Sequence, residues 1–410
     1  MKNPVSSKSP YIFPVSLVFF ELAAYLSVDM YLPSMPRITS WFDTSEQWTK
    51  ATLSSWLVGA GFFQLILGPI SDKIGRRPVM IVGCIVFSVA TLVCAMTESF
   101  WQFLIARFFQ GTAICYALVA GYSCINESLS DKEAIKTLSW MNSITVLAPA
   151  LGPVLGVVVL HYYPWQVIFY FLAGMAISAL IFINKFMPET ITKSIEKSLS
   201  IKRVSNSYLE IISNKSMMLI AMSFSTLFCM LISWNVSSPF FLITKDSANL
   251  KFALVQAYIF ILFILGTRIT NHLIDKKSPD EIIKIGFAIS VTGIIFSLIF
   301  GGVAVQSIMS IAFLGLFTLG AGISFSPLFR KALGLSKSAT GISIAVISSC
   351  MNLFAFVSSV LVSIIHVTSM FEYSLIAAPM LSISIAAYFL GANKRAISHE
   401  EREKCVTISK

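Results

Sequence analysis

The stretch FFELAAYLSVDM, residues 19–30, carries Glu21 and Asp29 through a run otherwise apolar enough for hydrocarbon. A third ionisable group, Arg107, stands in WQFLIARFFQG, residues 101–111. Such groups are costly at bilayer depth, so they bind a proton, find a counter-charge or line a wet cavity. The chemistry open to them is the trade of a proton for another cation. Eight residues at about 1.5 Å each put Asp29 about 12 Å beyond Glu21. Eight steps of about 100° leave the two about 80° apart around the axis, so both can face one cavity. Arg107 is expected at an intermediate depth, where it could tune either acid. Glu21, deeper and with apolar sequence neighbours, is the group expected to exchange a proton near neutral pH, with an organic cation competing for its charge. Asp29 lies nearer the outer end, where the plainer reading is a wetted acid. For Arg107 the plainer reading is a fixed ion pair that holds helices together.

The elements that must position these groups are membrane helices. Hydrophobic residues fill 56% of the 410 positions and charged ones 12%, about half the charge of a soluble domain, and the mean hydropathy is +0.79. The net charge of +10 does not point to nucleic acid, because Lys and Arg cluster between apolar segments, as membrane topology requires. Cys84, Cys94, Cys115, Cys124, Cys229 and Cys350 fall in apolar segments and Cys405 in a polar tail, without metal-like spacing. They read as core thiols, with no disulfide framework and no metal site. No cofactor is expected, nor an enzyme: HExxH and GxSxG signatures are absent. The first apolar run is long enough to span and lacks a cleavage site, so it reads as a permanent helix.

A crossing takes about 20 apolar residues, which gives twelve windows: 11–33, 50–71, 78–97, 101–125, 136–161, 165–187, 216–243, 252–274, 283–302, 305–329, 338–365 and 371–391. The fold class is therefore all-α integral membrane. With the N-terminus in the cytoplasm, 24 of the 30 Lys and Arg residues fall on the inner side, so both termini are expected inside. Arg37, Lys50, Lys245 and Lys251 are then outer charges. The longest polar stretch divides the chain into a six-helix bundle over 1–187, a linker over 188–215, a second bundle over 216–391 and a tail over 392–410. Two such halves with a substrate path between them make a transporter plan. Repetition between halves is faint, since GPISDKIGRRPVM has only a degraded counterpart in GTRITNHLIDKKSPDEIIKIG.

In GPISDKIGRRPVM, residues 68–80, the positions Gly68, Asp72, Gly75, Arg76 and Arg77 match the GxxxDxxGRR/K pattern of the major facilitator superfamily. RFFQG resembles the family's RxxQG motif, and GPVLG within LAPALGPVLG, residues 147–156, resembles the GPxxG motif of its antiporters. Residues alone say of the latter only that Pro149, Gly152, Pro153 and Gly156 allow kinking and close helix approach. Together with the order of ELAAYLSVDM, MPET and WNVSSP, the chain resembles the twelve-helix drug:proton antiporters of that superfamily.

The resemblance implies the major facilitator fold in a bacterial inner membrane, with proton-coupled export of lipophilic cationic and neutral drugs by a monomer. It implies proton and substrate handling by Glu21, Asp29 and Arg107. It adds substrate contacts at Tyr25, Leu231, Ile232 and Trp234, and a conformational switch at Gly68, Asp72, Gly75, Arg76 and Arg77. Asn142 is a further candidate for substrate, although Asn142, Asn235 and His366 read first as hydrogen-bonded bundle residues. Val28 departs from the family pattern, which carries a polar amide there. Two other readings stand beside this one: a narrow-range exporter of one metabolite or antibiotic, of the chloramphenicol or bicyclomycin kind, and a non-transporting receptor or scaffold.

Overall fold

The computed structural model describes residues 12–191, 208–243, 248–303, 308–336 and 340–408, and every regular element among them is a helix. Cys405 and the other side chains beyond residue 392 lie outside the described side chains. Helices satisfy their own backbone groups, which hydrocarbon demands. The elements are α1 (Ile12–Asp29), a 3-10 turn (Leu32–Ser34), α2 (Met35–Trp41), α3 (Glu46–Ile74), α4 (Arg76–Met96), α5 (Phe100–Tyr116), a π turn (Ala117–Gly121), α6 (Tyr122–Ser128), α7 (Asp131–Thr145), α8 (Ala148–Tyr162) and α9 (Gln166–Phe186). A second series follows: α10 (Lys215–Leu242), α11 (Ala248–Leu273), α12 (Pro279–Val303), α13 (Ile308–Gly334), α14 (Thr340–Ile364) and α15 (Met370–Ile408). Among the described residues, eleven spans are long and apolar enough to cross a bilayer, and α7 with α8 makes a twelfth if taken as one span bent by 41°. These agree with the twelve windows.

Three differences from the expected windows have local causes. The first helix stops at Asp29 rather than 33, because Pro33 has no N–H to offer the Asp29 carbonyl. The chain then re-enters helix as α2, carrying the span to Trp41. The fifth window is broken after Thr145, whose carbonyl would have been served by the missing N–H of Pro149. The last helix continues to Ile408, past the expected end at 391.

The chain gathers into two compact units that interleave in sequence. One takes Met1–Ser198 with Asn235–Tyr258 and Ser359–His366; the other takes Leu199–Trp234, Ile259–Ser358 and Val367–Lys410. In the first, α3 and α5 cross at two glycines facing each other's backbone. A Cβ on Gly59 would lie 2.1 Å from the Phe108 carbonyl oxygen, and one on Gly111 would lie 1.9 Å from that of Trp56. Gly111 closes the RFFQG motif, so that glycine serves the helix crossing. In the second unit, Pro327 inside α13 leaves the Ile323 carbonyl without its helical donor, and Thr270 Oγ1 supplies one at 2.9 Å. Cys84, Cys94, Cys115, Cys124 and Cys229 are buried free thiols and Cys350 is half-buried.

Gly111→Leu is expected to cost about 1–3 kcal/mol, the usual penalty of overpacking. Gly174→Leu, at a position where an added Cβ meets nothing within 4 Å, should leave the detergent melting temperature nearly unchanged. Equal melting of the two variants would contradict the crossing.

Candidate functional site

Glu21, Tyr25 and Asp29 stand at successive turns of α1. Glu21 is fully buried and Asp29 4% exposed, with Tyr25 half-buried. Glu21 Oε2 accepts a hydrogen bond from Tyr122 Oη at 3.3 Å, while Oε1 has no partner among the described residues. Tyr122 Oη also lies 3.2 Å from Asn142 Oδ1, and Asn142 is exposed. Tyr122 opens α6 directly after the π turn, a deviation that often marks functional sites because it re-aims the following side chains.

Arg107, at 0% exposure, was expected to tune one of the acids, but among the described residues it forms no ion pair with either. Its Nη1 donates to the Ser27 carbonyl and to Gln110 Oε1, both at 2.8 Å, and its Cζ lies 4.5 Å from the centre of the Tyr31 ring. The Ser27 carbonyl belongs to the last turn of α1, where carbonyls lack helical donors and a cation is favoured. Gln110 Nε2 donates to Thr91 Oγ1 at 2.8 Å. Arg107, Gln110 and Gly111 of RFFQG therefore have separate tasks: closing α1, bracing the arginine against α4, and admitting α3. Nε and Nη2 of Arg107 have no hydrogen-bond partner among the described residues.

The wetted-acid reading of Asp29 fails on burial, and its neighbours come from the LAPALGPVLG segment. A Cβ on Gly152 would sit 2.4 Å from Asp29 Cβ, and one on Gly156 would sit 2.4 Å from the Met30 carbonyl oxygen and 2.9 Å from Pro33. Both glycines on α8 are thus required for the end of α1 to lie against it. Pro149 breaks the span, and Pro153 lies inside α8.

Arg76 gathers the residues around the link between α3 and α4. Its Nη1 bonds Asp72 at 2.6 Å and Ser71 Oγ at 3.0 Å, while Nη2 bonds Glu127 at 2.8 Å with Nε alongside at 3.2 Å. Gly75 links α3 to α4 at φ +118°, a region that favours glycine. A Cβ there would also strike the Glu189 carboxylate at 2.5 Å. Glu189 accepts from the backbone N–H groups of Arg76 and Arg77 at 3.1 and 3.2 Å, so an anion caps the otherwise unpaired start of α4. Arg77 donates to the Asn184 carbonyl, and Thr190 bonds Glu127. Gly68 faces open space.

Leu231, Ile232 and Trp234 lie in the second unit, each at most 7% exposed. Trp234 packs edge-on against Tyr373, with ring centroids 5.2 Å apart, and Tyr373 donates to the Met230 carbonyl at 2.8 Å. Asn235 accepts from Gln256 at 2.6 Å, in keeping with its reading as a bundle residue, whereas His366 lies in an exposed turn past the end of α14, 3.4 Å from Gln47. Lys50, expected as an outer charge, is fully buried, 3.8 Å from Glu46 and 4.7 Å from the Phe240 ring centre. Tyr122, Glu127 and Glu189 were missed as site residues. Only Glu189 had a usable signal, the MPET run that follows the sixth window.

The Major Facilitator Superfamily model matches residues 17–359. The multidrug transporter MdfA of Edwardsiella piscicida is 31% identical over 359 residues, 83% of this chain and 85% of that one. The MdfA of Yersinia pestis bv. Antiqua (strain Angola) is 31% identical over 336 residues, 80% and 81% of the two chains. Among solved structures, a bacterial homologue of the human lysosomal transporter Spinster, inward-facing, aligns at a TM-score of 0.73 and 10% identity over 94% of this chain and 98% of that one. The xylose transporter XylE from E. coli aligns at 0.67 and 15% identity over 93% and 97%. With these spans and motifs, the chain belongs to the Major Facilitator Superfamily and is a transporter, not an enzyme.

Proposed function

We propose that the protein is a drug/proton antiporter that exports lipophilic cationic and neutral compounds across a bacterial inner membrane by alternating access. The observation that carries this reading is Glu21. Its carboxyl group is fully buried within a membrane span, bonded on one oxygen to a tyrosine hydroxyl and on the other to nothing described, with no cation among the described residues paired to it. Such a group is stable with a proton or with a cationic ligand, and cannot hold both independently. The name multidrug transporter borne by the MdfA relatives supports a broad range of substrates, which apolar walls and one charge-selecting group would accommodate. Asp29, Arg107 and Tyr25 complete this site, and Leu231, Ile232 and Trp234 are proposed as further contacts for substrate. Function as a monomer and two bundles, over 1–187 and 216–391, follow the same reading.

Adding a lipophilic cation to purified protein should release protons. Binding of that cation should weaken as pH falls, because the proton competes for Glu21. Glu21→Gln is expected to abolish the release and flatten the pH dependence, measured with a pH dye in unbuffered detergent solution. Full proton release from this variant would sink the assignment.

The inner-loop cluster is proposed as the switch between conformations. Glu189→Gln keeps the shape but removes the charge that caps α4, an interaction of about 0.3–1 kcal/mol at a helix start. Transport rate in proteoliposomes should fall severalfold while equilibrium drug binding stays within about twofold, since half a kcal/mol to one corresponds to a few-fold change. Loss of binding instead would place Glu189 in the substrate site.

Both termini are proposed to face the cytoplasm. Alkaline phosphatase fused after residue 43 or 163 should then be active, and the same enzyme fused after residue 130 inactive. The reverse pattern would overturn the charge-based orientation.

A further inference from the structure

The Tyr122 hydroxyl has one hydrogen and stands between two oxygen acceptors, Glu21 Oε2 at 3.3 Å and Asn142 Oδ1 at 3.2 Å. Both distances exceed the about 2.7–2.8 Å usual for O–H···O. One hydrogen cannot serve both oxygens, so the trio is satisfied in only two ways. If Glu21 carries a proton, it donates to Tyr122, and Tyr122 donates to Asn142 Oδ1. If Glu21 is ionised, Tyr122 donates to the carboxylate, and Asn142 must turn its amide so that an N–H donates to the tyrosine oxygen. Asn142 is suited to this because its side chain carries a donor and an acceptor on one rotatable bond.

The end of this chain of bonds is exposed. Glu21 has no accessible surface, but Asn142 does, so whichever half of its amide is not used by Tyr122 meets an arriving molecule. We propose that Tyr122 transmits the protonation state of Glu21 to Asn142, which presents its carbonyl outward when Glu21 is ionised and its NH2 when Glu21 is protonated, so that the site selects cations bearing N–H donors. Charge and dipole then change in the same sense. The ionised state attracts a cation and offers its N–H an acceptor, while the protonated state withdraws both. The other groups around Glu21 do not duplicate this role. Arg107 on α5 is turned to Ser27 and Tyr31, and Tyr25 lies one turn along α1 itself without a described bond to the carboxylate. Among the described residues Tyr122 is the one hydrogen-bond partner of the Glu21 carboxylate. The inference rests on Glu21 exchanging a proton for a cationic substrate.

The test uses a matched pair of probes, 4-phenylbutylammonium and its quaternary N,N,N-trimethyl derivative, bound to the purified full-length protein at a pH where cation binding is strongest. The wild-type preference for the N–H-bearing probe over the quaternary one is the quantity read. Tyr122→Phe, which keeps the ring, and Asn142→Leu, which keeps the bulk, are each expected to reduce that preference about fivefold to tenfold, the effect of one hydrogen bond to a charged group. Losing the Tyr122 bond to the carboxylate disfavours ionised Glu21 and weakens both probes alike, so the ratio between the two probes, and neither affinity alone, is the quantity that decides. An unchanged preference in both variants overturns the proposal, and so does an equal loss of both probes, which would mark Tyr122 and Asn142 as structural only. Glu21→Gln serves as the separate control. If it binds both cations as wild type does, the reading of Glu21 as the exchanging group fails, independently of what Tyr122 and Asn142 do.

Discussion

The Arg107 guanidinium rests on the end of the first helix, and the proposed site is arranged around that contact. A fully buried cation must be answered by something, and here the answer is the Ser27 carbonyl, the Gln110 amide oxygen and the face of Tyr31. The carbonyl is available because α1 stops at Asp29, and α1 stops there because Pro33 cannot donate. Spending Arg107 on a helix end rather than on a carboxylate leaves Glu21 without a counter-charge among the described residues. The proposed exchange of a proton at Glu21 requires that arrangement. An arginine paired to the acid would have fixed the acid in its ionised form and made both groups structural.

At the start of a helix, each unit solves one problem, and the two do so with opposite charges. In the first, Arg76 at the start of α4 is held by Glu127 near the end of α6. In the second, Asp280 at the start of α12 is held by Lys331 near the end of α13 and by Tyr388 of α15 at 2.7 Å. The acid at the start of α12 suits the positive end of that helix directly. The arginine at the start of α4 does not, and Glu189 supplies the anion there. This inversion is a physical reason why the repeat between halves is so faint in sequence. A comparison that looks for GRR in the second half looks for the wrong sign.

Hydropathy alone places the spans, because a bilayer imposes length and apolarity on every crossing. Glu21, Asp29 and Arg107 are visible for the converse reason, as groups that hydrocarbon would otherwise exclude. What stayed hidden was chemistry carried by ordinary residues in ordinary places. Tyr122 is one of twelve tyrosines, and nothing local distinguishes it from a packing aromatic. Glu127 and Glu189 look like solvated charges at helix ends until Arg76 and the start of α4 are found beside them. Lys50 is read as an outer charge from the orientation of the spans, and its burial against Phe240 leaves no mark in its own segment. In each case a distant segment supplies the partner, and sequence spacing carries no trace of it.

The broken fifth span ties the two acids together more directly than Arg107 does. Its first part, α7, carries Asn142, which reaches Glu21 through Tyr122. Its second part, α8, carries Gly152, which lies against Asp29. The 41° bend falls between them, at the residues that Pro149 deprives of a donor. A change in that bend must therefore alter the surroundings of at least one acid, and a rigid movement of α1 must strain both contacts. Coupling between sites requires an element with two arrangements that both sites bias, and this span has a bend, with a contact to each acid on either side of it. The glycines of the GPxxG segment then do more than admit a neighbour. They seat α8 against Asp29 just beyond the Pro149 bend, so the packing of one acid and the proposed protonation of the other bear on the same piece of backbone.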